Sequence, residues 1–115
     1  MANIVTNYGN INISNEVIAS LVGRAAEQCY GIVGMSGKRA ADGIAELLNR
    51  ENYAKGVRVS SNGEEAQITM YVIVEYGTSI NVVAESAIDI IRYNVEQDTG
   101  LRVTKVNIIV EGVRV

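Results

Sequence analysis

Residues 57–76 read Val-Arg-Val-Ser-Ser-Asn-Gly-Glu-Glu-Ala-Gln-Ile-Thr-Met-Tyr-Val-Ile-Val-Glu-Tyr, and this stretch decides the fold. Val57 to Ser61 alternates apolar with polar, as a half-buried strand does. Asn62-Gly63 then tolerates the positive φ values of a type I′ turn, so the spacing predicts a hairpin. Its second arm runs from Ala66 to Tyr76 and is apolar on both faces over much of its length, which predicts an interior strand or one covered on each side.

Working outward toward the C-terminus, Thr78 or Ser79 is placed to cap a long helix. Its core positions at helical spacing are Ile80, Val83, Ala84, Ala87, Ile88, Ile91 and Val95. Gly100 ends that helix. Leu101 to Val110 is the last strand, and its Val-Asn-Ile-Ile-Val run reads as buried on both faces. Toward the N-terminus, Arg39 to Asn49 carries helical spacing through Ala40, Ile44, Leu47 and Leu48, with Asn52 to Gly56 closing it. Ser36-Gly37 opens a loop before it, and Ile32 to Met35 is either a short strand or a bend. Ser14 is a good N-cap, with Glu16 in the first turn where the helix dipole favours an anion. The helix that follows carries Val17, Ile18, Leu21, Val22, Ala25 and Cys29 on one stripe, and Gly31 stands where a C′ residue belongs. Tyr8 to Ile13 is a short first strand with Ile11 and Ile13 on one face.

The predicted order is β-α-(β)-α-β-β-α-β, an α+β fold. It implies one mixed sheet of about four or five strands, with two long helices and one shorter helix mainly on one face. Residues 1–115 make a single domain whose core spans about residues 9–113, because 115 residues suit one domain and not two of ordinary size. Apolar residues are 48% and charged residues 20%, a globular composition.

The missing residue types narrow the chemistry. With no histidine there is no Ser-His or Cys-His nucleophile and no imidazole ligand for zinc. A single cysteine, Cys29, excludes an internal disulfide, a CxxC pair and a cysteine metal cluster. A net charge of −3 gives no global field toward nucleic acid or anionic lipid. The N-terminus lacks the basic region and apolar run of a signal peptide, and no segment approaches about 18 unbroken apolar residues. These features lead to the expectation of a soluble cytoplasmic protein without cofactor, metal or catalytic site.

Gly37-Lys38 could end a phosphate loop, but Ile32 stands where its first glycine belongs and Arg39 replaces the magnesium-binding hydroxyl. Ser36 misses the nucleophile elbow, since Lys38 occupies the place of its last glycine. Gly34-Met35-Ser36-Gly37, followed by Lys38 and Arg39, has the G-x-x-G form with which KH domains clamp single-stranded nucleic acid. This is the alternative reading, set against an acidic chain with no aromatic residue near the loop. Asp42 with Glu46 and Glu85 with Asp89 read as solvated helix faces, and Cys29 as a buried, inert thiol.

The helix surfaces carry the stronger signal. Val82 and Tyr93 fall roughly opposite the core stripe of the last helix, with Ile90 at its flank. On the first helix Ala19, Gly23 and Ala26 form a smooth strip that lets another helix or another subunit approach closely. Val82, Ile90, Tyr93, Ala19 and Gly23 are therefore the expected protein-interface residues.

Five segments also carry a family pattern in order. They are Asn10 to Glu27, Gly31 to Met35 (G-I-V-G-M), Val72 to Gly77 (V-I-V-E-Y-G), Thr99 to Leu101 (T-G-L) and Val106 to Val113 (V-N-I-I-V-E-G-V). In that spacing the chain resembles the alkaline-shock and general-stress (Gls-type) proteins of Gram-positive bacteria, the envelope stress response family, in a short form almost without tails. The resemblance implies a non-enzymatic cytoplasmic protein linked to envelope homeostasis and to alkaline or general stress. It further implies protein partners, for some relatives a separate membrane-embedded one, and self-assembly into a homo-oligomer. It assigns no catalytic residue, and it favours neither membrane insertion nor nucleic acid.

Overall fold

A computed structural model describes residues 2–35 and 56–115. The described elements are β1 (Ala2–Thr6), β2 (Gly9–Ile13), α1 (Asn15–Ala26), β3 (Ile32–Met35), β4 (Val57–Asn62), β5 (Glu65–Glu75), α2 (Ile80–Thr99) and β6 (Arg102–Arg114). The α+β class holds, with six strands and two helices among the described residues. The helix expected over Arg39 to Asn49 lies outside them.

β5 is the axis of the main sheet. Along one edge it pairs antiparallel with β4 (Val57↔Met70 to Asn62↔Glu65) and, further on, with β3 (Ile32↔Val74, Met35↔Val72). Along its other edge it pairs in parallel with β6, so β5 is the interior strand its composition predicted. Alternation does the rest. Ala66, Ile68, Met70, Val72 and Val74 point to the helical layer and are at most 2% exposed, whereas Thr69, Tyr71 and Ile73 on the opposite face are half-buried. Ile18, Val22, Ala25 and Ala26 of α1 and Val83, Ile91 and Val95 of α2 close the core above them. α1 packs on β4 and α2 on β6, with the two helices against each other.

The helix ends follow local chemistry. Ser14 Oγ accepts a hydrogen bond from Val17 N at 3.3 Å. Gly100 closes α2 at φ +79, its N–H donating to Glu96 O. Ser79 is the N-cap of α2 by backbone but makes no side-chain cap bond, while Thr78 Oγ1 donates to Glu75 O at 2.7 Å. Thr99 Oγ1 and Glu96 Oε2 receive the Leu101 and Val103 N–H groups, so α2 and β6 are joined by side chains at the turn.

Five expectations need correction. The N-terminus forms a strand that went unread: β1 pairs with β2 as a separate two-stranded sheet, and Asn3 N donates to Gly63 O. The β4–β5 turn residues are Gly63 and Glu64, because Asn62 stays in the ladder opposite Glu65. Only Gly63 takes a positive φ there (+63), which suits a type II′ and not a type I′ turn. α1 ends at Ala26, well before Gly31, whose φ of +88 serves the turn into β3. Val17 and Ile80, both expected on core stripes, are 50% and 44% exposed, each lying in the first turn of its helix. Finally, β6 is not covered on both faces: among the described residues it pairs with β5 alone, and Ile109 is 41% exposed.

Candidate interaction surface

α2 holds a rigid outer face. It is anchored by Val83, Ala87, Ile91 and Val95 at a four-residue interval, which sends the residues on the opposite side of the helix toward solvent. Val82 is 63% and Tyr93 65% exposed, and Ile90 is half-buried beside them. At 3.6 residues per turn these three fall within about 80° of arc, so they share one face. Ile90 and Tyr93 also line an open groove of about 360 Å³ with Asp89, Asn94 and Gln28, the last from the turn after α1. The groove mixes amide, carboxylate and aromatic groups and encloses no cluster of acids or bases.

The small-residue strip behaves differently. Ala19 is 7% exposed and Gly23 is also buried, so the chain itself covers both. They are not available at its surface. The structure thus brings Val82, Ile90 and Tyr93 together and separates Ala19 and Gly23 from them.

The alternative loop is also changed. Gly34 and Met35 belong to β3 and pair with Ile73 and Val72 of β5, so the first half of the G-x-x-G sequence is strand. Ser36, Gly37, Lys38 and Arg39 lie outside the described residues, as do Asp42 and Glu46. Glu85 and Asp89 are exposed, and among the described residues no three His, Cys, Asp or Glu side chains gather as a metal site. Cys29 is 4% exposed, with Sγ 3.6 Å from Ala25 O, and burial pushes its thiol pKa above the usual value. A second open hollow, between the β4–β5 turn and the start of β6, is lined by Asn62, Glu64, Glu65, Gly100 and Arg102. Its guanidinium is already engaged by Glu65. Among the described residues no helix is long and apolar enough to cross a membrane.

One exposed apolar region was passed over in the sequence. Tyr30 (80% exposed), Tyr76 (71%) and Val113 (47%) gather where β5 and β6 end. Backbone bonds hold them there: Glu75 N donates to Gly31 O and Tyr76 N to Arg114 O. A signal was available. Tyr8-Gly9, Tyr30-Gly31 and Tyr76-Gly77 are three Tyr-Gly pairs, and each places its tyrosine at a turn, where the ring has no layer to enter.

Residues 3–115 match the model of the alkaline-shock protein 23 family, described by a cell envelope-related function. The chain is 52% identical over 111 residues to YloU of Bacillus subtilis (strain 168), covering 96% of this chain and 92% of that protein. It is 27% identical over 100 residues to a stress response regulator gls24 homolog of Streptococcus pyogenes serotype M3 (strain MGAS315), covering 87% of this chain and 56% of the relative. A zinc-form structure of the MamM CTD superposes with a TM-score of 0.53 at 14% identity, covering 87% of each chain, a likeness of fold alone. By its match over nearly the whole length, the chain belongs to the alkaline-shock protein 23 family, whose function is related to the cell envelope.

Proposed function

We propose that this protein is a non-catalytic interaction module of the envelope stress response, working by self-association and by docking protein partners. The observation that carries this reading is the outer face of α2, where Val82, Ile90 and Tyr93 share one rigid surface. Isolated exposed apolar residues are ordinary on a soluble protein. Three on one arc of a helix, two of them about two-thirds exposed and two of them lining a groove, offer an anchor of the kind that protein interfaces use. The family's envelope-related description and the stress-regulator naming of a relative support the setting. In this reading the protein works in the cytoplasm, and any attachment to the membrane runs through a partner protein.

The test is a double substitution, Val82→Glu with Tyr93→Glu. Both side chains are exposed, so the circular dichroism spectrum should stay unchanged while the mass of assemblies seen by light scattering falls. Assemblies of unaltered mass would reject this face as the contact.

A further inference from the structure

β6 is the longest strand of the sheet, at 13 residues, and it pairs with β5 alone among the described residues. Two register shifts against β5, at Thr104 and at Glu111, frame a regular run from Lys105 to Val110. Bulges and charges are the devices that keep sheet edges from pairing. Here they sit at the ends of the run, and between them stand Val106, Asn107, Ile108 and Ile109, with no proline, glycine or charge.

Among the described residues, the core above that run is incomplete. In β5 the inward residues Ile68, Met70 and Val72 are fully buried, whereas their partners across the ladder, Val106, Ile108 and Val110, are only half-buried. On the other sheet face Ile109 is 41% exposed.

We infer that β6 pairs antiparallel with β6 of a second copy of this chain across a two-fold axis at Ile108, joining the two main sheets into one. This rests on the reading above that the chain self-associates, and it assigns the contact that makes the dimer.

The register follows from the sequence. Opposed residues in an antiparallel pair share a face, so the axis must pass through a residue and not between two. Placing it at Ile108 sets Val106 opposite Val110 and Ile108 opposite itself, extending the half-buried row. It also sets Lys105 opposite Glu111 twice, once on each side of the axis. Moving the axis to Asn107 would place Lys105 against Ile109 and lose both charge pairs. At the far ends Arg102 meets Arg114, but each is already paired within its own chain, Arg102 with Glu65 and Arg114 with Glu75.

Sedimentation and disulfide trapping test this together. Lys105→Glu and Glu111→Lys, each placing like charges opposite one another twice, should weaken the dimer about tenfold. The double variant, with the charges exchanged, should regain the wild-type constant. Ile108→Cys should give a covalent dimer on mild oxidation, since directly opposed residues bring their Cα atoms within disulfide range. The buried Cys29 of the wild type should not. If the wild type associates but both charge variants are unaffected and Ile108→Cys stays uncrosslinked, the edge assignment is overturned and self-association stands. A wild type that remains a monomer at every concentration overturns both.

Discussion

Gly31 shows how much one residue can fix. Its φ is +88, and a Cβ built there would lie 2.5 Å from Val83 Cγ2 of α2. Gly31→Ala should therefore combine backbone strain with a clash against the core and cost more than about 1 kcal/mol in urea unfolding. Ser14→Ala, which removes the bond to Val17 N, should cost about 1 kcal/mol by the same measurement. Cys29 has a pH consequence. Burial raises its folded-state pKa above the ordinary 9.0, so the folded form holds the proton more firmly than the unfolded chain does. The resulting stability is fully present below 9.0 and is lost as pH rises above it. A Cys29→Ala variant should accordingly lose less stability than wild type between neutral and alkaline pH, and parallel curves would count against this role. Ser14 was legible in the sequence, because a cap is a local pattern; Cys29 is buried as expected, but from the turn after α1 and not on its helical stripe. The closeness of Gly31 to Val83 was not, since it depends on how a turn and a distant helix meet.

At the scale of the element, α2 separates what periodicity reveals from what it conceals. The stripe identified Val83, Ala87, Ile91 and Val95 correctly, and it also included Ala84 and Ile88, which are half-buried, and Ile80, which fits the phase but lies beyond the covered part of the helix. Ile91→Ala should cost about 2–5 kcal/mol and Ile80→Ala well under half of that, compared by thermal unfolding. Similar losses at both positions would show that Ile80 is covered in solution. The strands follow the same logic. Composition marked β5 as interior, and it is paired on both edges. The similar apolar run of β6 was misread, because two-sided hydrophobicity does not distinguish a central strand from an edge strand awaiting cover. β1 escaped notice because its Asn-Ile-Val-Thr run is short and acquires meaning only opposite β2.

For the whole molecule, the fold carries two unlike surfaces: a helix face bearing Val82, Ile90 and Tyr93, and a strand bearing Val106 to Val110. The chain has no histidine, and its one cysteine is buried. The helix face was readable in advance because it needs only phase. Burial of Ala19 and Gly23 was not readable, because it depends on which neighbour α1 meets. Two different contacts would let dimers join into larger assemblies, whereas one two-fold contact closes after a pair. The most direct test of the central claim, that this protein acts by associating, is its molar mass by light scattering over a dilution series. The account predicts a mass above the 12.4 kDa of one chain that falls toward it on dilution, and 12.4 kDa at every concentration would contradict it.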